Sequence, residues 1–278
     1  MPSGRIWFLG DPHGSFSHIQ RSLDANCTSK PDALIFLGDQ GCPRPFKECV
    51  AAFEEMGIKS YFVPGNHDAD TYDNLRNLFH SQFSMERNLH GRVIEIAGLR
   101  IAGLGGVFRS KIWYPKQGDE EQYFHDYDEY LRDLNARRPT RLRRNVSKVD
   151  LLQGSMSSSS ERQAEIEAAV KEKEIRIHLA SIFPDDYNRL AAQKADILVT
   201  HEAPAPHPNG FQALSDLGVH MGVQRSFHGH QHDNPHYPTH SYQKHGVGLR
   251  GISDELGNVI LAGELDAAHY AQQGGLLP

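Results

Sequence analysis

The chain is poor in cysteine and in long apolar runs, and each shortage argues against a class of protein. Its three cysteines, Cys27, Cys42 and Cys49, are odd in number and form no CxxC pair. That argues against a disulfide framework and a zinc–thiolate site, and it suits a reducing compartment. No stretch approaches the ~18 uninterrupted apolar residues of a membrane span. Met1–Trp7 runs into a strand pattern without a secretory signal, so a cytoplasmic location is expected. A net charge of -6 offers no global attraction to nucleic acid. What is present is a 38% hydrophobic fraction over 278 residues, enough to bury a real core. Histidine is abundant, with 17 residues, many of them after His201, which raises the question of metal.

Short β-rich runs alternate with helical patterns in the first third. Ile6–Leu9, Ala33–Leu37 and Tyr61–Val63 are each bounded by glycine or proline, as buried strands are. Helices expected over 16–26 and 44–57 complete a βαβαβ order with parallel pairing. Residues 92–104 (RVIEIAGLRIAGL) read as a hairpin turning at Gly98, and 248–264 as another turning around Leu256–Asn258. Asp196–Thr200 and Arg225–Phe227 read as further strands. The middle differs: an acidic, aromatic stretch at 118–133, the basic run RRPTRLRRN at 137–145, and a serine tract before a helix expected at 160–174. We read 1–278 as a single domain in which 115–190 forms a helical insertion, with the serine tract as a mobile joint.

Chemistry-bearing residues sit at the ends of these strands. Asp11 and His13 are two apart; in an extended segment they share a face and address one ion. Singly, such a pair is more often a turn, and Gly38-Asp39 is a common turn start. Gly65-Asn66-His67-Asp68 presents an amide, an imidazole and a carboxylate in succession. His201 follows one strand, and Gly229-His230-Gln231-His232 another; His228 reads as a filled strand end. Together they form a pattern, since ligands in α/β sheets gather at the carboxyl ends of strands. The oxygen–imidazole mixture suits Mn, Fe, Zn, Co or Ni better than calcium.

The order D-x-H, GD, GNHD, a lone His and GHxH resembles the calcineurin-like metallophosphoesterase superfamily, over residues 5–68 and 195–264. The resemblance implies an α/β fold, a four-layer α/β/β/α sandwich of two mixed β-sheets flanked by helices. It places Asp11, His13 and His232 on one metal, Asn66, His201 and His230 on a second, and Asp39 between them. His67 matches the catalytic histidine, and Asp68 is expected to orient it or raise its pKa. The implied cofactor is two divalent transition metal ions, Mn2+ foremost, and the implied reaction is attack on a phosphate ester by a metal-bridging hydroxide. One departure stands out: where the family often has GDxxD, this chain has Gly38-Asp39-Gln40-Gly41-Cys42.

Residues 97–108 are similar to the corresponding hairpin of RNA lariat debranching enzymes, which moves the expected substrate toward a nucleotide or nucleic acid. Those enzymes commonly carry cysteine where this chain has Asp11. Arg109, Lys111 and Tyr114 follow that hairpin and are candidate substrate contacts. The basic run at 137–145 is expected to pair with the acidic stretch at 119–129. A phosphodiesterase leads; a small-molecule phosphomonoesterase and a non-catalytic nucleic-acid-binding or interaction scaffold are the alternatives.

Overall fold

A computed structural model describes residues 6–25, 30–116, 121–154, 159–238 and 241–266. Ten strands form two five-stranded sheets among these residues. The first sheet is ordered β10-β9-β1-β2-β3, from β1 (Ile6–Leu9), β2 (Ala33–Phe36), β3 (Lys59–Phe62), β9 (Ile252–Asp254) and β10 (Val259–Leu261). The second is ordered β4-β5-β6-β7-β8, from β4 (Arg92–Ile96), β5 (Leu99–Leu104), β6 (Ile197–Thr200), β7 (Arg225–His228) and β8 (Gln243–Gly246). Strands β1, β2 and β3 pair in parallel, as do β5 through β8, while β9, β10 and β4 enter antiparallel.

The two-residue period of a strand explains the layering. Ile6 and Phe8 join Ile35, Ile101, Val199 and Phe227 in one core cluster between the sheets. Trp7 and Leu9 fall instead in the cluster shared with the helices. Phe8 and Phe227 stack across the sandwich with centroids 3.8 Å apart. This is the α/β sandwich of two mixed sheets flanked by helices that the motif order implies.

The outer layer begins with α1 (Ser17–Ala25), α2 (Phe46–Cys49), α3 (Ala51–Glu55), α4 (Tyr72–Phe79) and α5 (Gln82–Arg87). The helix expected over 44–57 is thus two short ones, broken at Val50. The middle of the chain supplies α6 (Tyr127–Arg137), α7 (Lys148–Gln153), α8 (Ser160–Lys171), α9 (Lys173–Ile177) and α10 (Pro184–Ala191), and α11 (Gln212–Met221) follows β6. The expected 160–174 helix divides at Glu172 into α8 and α9, and Ser159 caps α8 by accepting from the Arg162 N–H. Ser157 and Ser158, half of the serine tract expected to act as a joint, lie outside the described residues.

The middle helices join the core on the outer faces of the sheets: Tyr127, Leu131, Leu151 and Ile166 are buried in the cluster that holds Trp7 and Leu34 of the first sheet and Leu104 and Leu198 of the second. Among the described residues the basic run pairs within the chain, but with none of the acidic residues at 121–129. Arg138 meets Glu172 (2.7 Å) and Glu174 (3.4 Å), Arg144 meets Glu172 (2.6 Å), and Arg137 takes Asp133 one helical turn away. The reason is the chain's return through α8 and α9, which sets those glutamates beside the run.

A buried knot anchors the middle helices to the sandwich. Asp186 at the start of α10 meets His90 Nε2 and Lys148 Nζ, each at 3.1 Å, and also pairs with Arg189. Burial alone would raise this carboxyl, but His90 and Lys148 hold it well below the usual carboxylate range. Asp186→Asn takes the buried carboxylate away from Lys148, which is partly exposed, and is expected to cost about 1.5–3 kcal/mol, the range of a hydrogen bond to a charged group, read by urea unfolding at pH 7. The unfolded chain binds more protons than the native one below the ordinary Asp pKa of about 3.9, so this stabilisation is present above that pH and fades as acid is added. The variant should therefore lose less stability than wild type between neutral pH and pH ~3; an equal acid loss would detach Asp186 from this role.

Candidate metal centre

The loops that leave β1, β2, β3, β6 and β7 meet at one edge of the sandwich. Backbone pairing holds them in place: His13 N–H donates to the Asp39 carbonyl (3.0 Å) and Gly14 N–H to the Gln40 carbonyl (2.8 Å). Asp11 and His13 do not share a face through extended geometry. Both lie in the left-handed region, with φ of 37° and 43°, so a turn rather than a strand brings them together. Asp39, His230 and His232 have positive φ as well; these are five of the seven non-glycine residues so placed among the described residues. Strained backbone of this kind persists where surrounding structure enforces it, and it clusters at functional sites.

Two glycines are required by proximity. A Cβ on Gly38 would lie 2.1 Å from His201 Nδ1, and one on Gly65 would lie 2.2 Å from Asp39 Oδ1. Gly38 also has a φ of +110°.

Two groups of potential ligands result: Asp11, His13 and His232, and Asp39, His201 and His230, each with its ligand atoms within 4.8 Å of one another. His13 Nε2 faces His232 Nε2 at 3.2 Å. His201 Nε2 lies 3.1 Å from Asn66 Oδ1 and 3.4 Å from Asp39 Oδ2, and Asp39 Oδ2 is 4.0 Å from His13 Nε2. His201 Nδ1 sits 2.8 Å from the Leu37 carbonyl, which only accepts, so Nδ1 carries the hydrogen and Nε2 turns toward the oxygens. The His230 N–H donates to both oxygens of Asp11 (3.1 and 3.0 Å) and orients that carboxylate.

The electrostatics fit cations. Burial works against protonation of His201, yet Asp39 and Asp11 hold its pKa at about 10, so positive charge is strongly stabilised here. Burial pushes Asp11 up to about 7 and His230 down to about 3. Clustered carboxylate oxygens and imidazole nitrogens are the donor set that borderline divalent metals take.

His67 stands at the rim, about half exposed, with Nδ1 2.5 Å from Asp70 Oδ2 and its ring centroid 5.5 Å from that of His13. Asp68 does not orient it. Its carboxylate is buried and accepts from the Gly41 N–H (3.0 Å) and the Gly65 N–H (2.8 Å), tying the second and third loops together. The reason is local geometry: residues 67–69 form one 3-10 turn, with Asp68 directed inward while the residue three along from His67 returns to the ring. The same turn is gripped by Arg176, whose Nε and Nη2 donate to the carbonyls of Ala69 (2.9 Å) and Asp70 (2.8 Å). No sequence signal marks Arg176, which lies more than 100 positions away; Asp70 was discoverable from its i+3 spacing.

Of the candidate substrate contacts, Arg109 and Tyr114 line a cavity of about 470 Å³ that also reaches Asn66 and His230. Lys111 does not line it; its ammonium pairs with Glu174 at 2.9 Å. Lys116 and Glu202, not singled out in the sequence, do line it. His228 is a strand-end residue, buried and hydrogen-bonded to the Tyr237 hydroxyl at 2.7 Å.

The calcineurin-like phosphoesterase family model matches residues 4–234. An uncharacterized Haemophilus influenzae protein is 36% identical over 257 residues, covering 92% of this chain and 96% of its own length. Among solved structures, a Thermus thermophilus protein aligns at 13% identity and a TM-score of 0.48, over 90% of this chain and 94% of the other. A phosphopantetheinyl hydrolase from Mycobacterium tuberculosis aligns at 15% identity and a TM-score of 0.42, over 88% and 90%. No described helix is long and apolar enough to cross a membrane. With the ligand groups assembled at one edge and the family pattern running from residue 4 to residue 234, the chain belongs to the calcineurin-like phosphoesterases and is a metal-dependent phosphoester hydrolase.

Proposed function

We propose that the chain is a phosphodiesterase acting on a nucleotide or nucleic acid, using two divalent cations, manganese foremost. The observation that supports the two-cation centre is the position of Asp39 Oδ2 between the two ligand groups, 4.0 Å from His13 Nε2 and 3.4 Å from His201 Nε2, and the similarity of residues 97–108 to the lariat debranching hairpin supports the diester. Asp11, His13 and His232 would hold one cation, Asn66, His201 and His230 the other, and Asp39 would serve both. Bound there, the pair supplies Lewis acidity, screening the phosphate's charge and making water a nucleophile near neutral pH.

The chain's own groups do the rest. With Nδ1 committed to Asp70, His67 keeps Nε2 for the substrate, where it protonates the departing alkoxide. Burial opposes the charged imidazole, but the hydrogen bond to Asp70 raises its pKa, favouring the proton-carrying form. Leu37 holds the His201 ring, and the His230 amide holds Asp11, so neither rotates as charge builds.

A manganese-supplemented panel tests the reading: bis-p-nitrophenyl phosphate, p-nitrophenyl phosphate, cyclic nucleotides, and short RNA and DNA. Diesters are expected to turn over with the higher kcat/KM. A preference for the monoester reverses the substrate class, and salt-sensitive oligonucleotide binding without hydrolysis points to a binding module.

A further inference from the structure

We propose that the cavity beside Asn66 and His230 receives a second phosphate of the substrate, separate from the scissile one, gripped by Arg109 and Lys116. This rests on the phosphoester reading above and narrows it to substrates bearing two phosphates.

Arg109 is the odd one among the partly or fully buried guanidiniums of the described residues. Arg138, Arg144 and Arg162 each meet carboxylates, and Arg176 is spent on backbone carbonyls. The Arg109 Nε is buried without a hydrogen-bond partner, and no salt bridge to Arg109 occurs among the described residues. Burial disfavours its charge, and only the more distant fields of Asp70 and Glu202 support it. A buried donor left unsatisfied is costly unless something completes it, and the planar guanidinium matches a phosphate in two-point contact.

The neighbouring groups fit the same ligand. Lys116 Nζ lies over the rings of Phe211 (5.1 Å) and Tyr114 (5.8 Å), with no carboxylate partner among the described residues. Those rings and Phe108 line one part of the cavity, and Asn66, Asn209 and Gln231 add polar groups to the rest. Glu202 is the one carboxylate among the lining residues; its Oε1 stands 3.8 Å from His230 Nε2, on the metal side of the space. At about 470 Å³ the cavity exceeds what a scissile phosphate alone would occupy, and its boundary at Asn66 and His230 makes it continuous with the catalytic cleft.

A matched pair of chromogenic esters tests this: thymidine 5'-(p-nitrophenyl phosphate) and the same ester with a 3'-phosphate, each assayed with manganese. Wild type is expected to favour the 3'-phosphorylated ester about ten- to hundredfold in kcat/KM, chiefly through KM, the range of a charge-assisted hydrogen bond. Arg109→Ala should bring the ratio toward parity, and Lys116→Ala should do so in part, which also serves if the arginine variant fails to fold. Equal kcat/KM in wild type overturns the proposal. An equal loss on both esters in Arg109→Ala also overturns it, since the guanidinium would then serve the scissile phosphate. If wild type turns over neither ester, the diesterase reading fails, and calorimetry decides the cavity separately. Tighter binding of thymidine 3',5'-bisphosphate than of thymidine 5'-monophosphate, lost in Arg109→Ala, sustains the second-phosphate site, and equal affinity removes it.

Discussion

His67→Ala is expected to lose turnover by about 10²–10⁴-fold, the usual contribution of a general acid, while keeping the metal content of wild type. The separation of the two effects follows from position. Its imidazole belongs to neither ligand group, whereas its backbone N–H donates to Asp39 Oδ1 at 2.8 Å, a bond that alanine retains. Removing the side chain therefore spares the cleft's oxygens and takes away only the proton carried beside the leaving group. Asp70→Asn should give a smaller loss in the same direction, because the amide still accepts a hydrogen bond from Nδ1 but no longer favours the imidazolium. Turnover equal to wild type in His67→Ala, with circular dichroism unchanged, would remove this residue from the chemistry.

Asp39→Asn should be the more damaging change, lowering metal stoichiometry at both positions and activity below that of the His67 variant. Asp39 is buried, and its two oxygens have separate duties. Oδ1 accepts from the His67 N–H, while Oδ2 lies between the imidazoles of His13 and His201. An amide of the same shape keeps the first contact if its oxygen takes that place, but it offers an NH2 group toward the cations and carries no charge. Elemental analysis after dialysis against manganese measures the result, and two full equivalents bound to Asp39→Asn would contradict a shared ligand. The pairing of variants is informative because one is expected to separate metal from turnover and the other to lose both.

Much of the scaffold was readable because its strands are short, fully buried and punctuated. Ile6–Leu9 and Ala33–Phe36 carry apolar side chains on both faces, one facing the opposite sheet and one facing helices, and glycine follows each within two residues. Strand β8 was not readable. Its sequence, Gln-Lys-His-Gly, has no apolar residue, and it is a strand because β7 offers an unpaired edge. The break at Val50 and the division of α8 from α9 were likewise invisible, since element boundaries respond to packing more than to local preference.

In the site the division is similar. Residue types at strand ends, taken in order, determined which side chains had chemistry to offer and to what class of ion, because ligand chemistry belongs to the side chain. Their spacing along the chain also forced Asp70 within reach of His67. Tertiary structure alone decided which groups meet: that His201 faces Asp39 across a gap of 162 positions, that Arg176 steadies the His67 turn, that Glu174 claims Lys111, and that Arg109 is left without a carboxylate partner beside His230 among the described residues. A pair potential between distant residues leaves no local trace in sequence, since it acts only after the sandwich has closed and burial has weakened the competition from water.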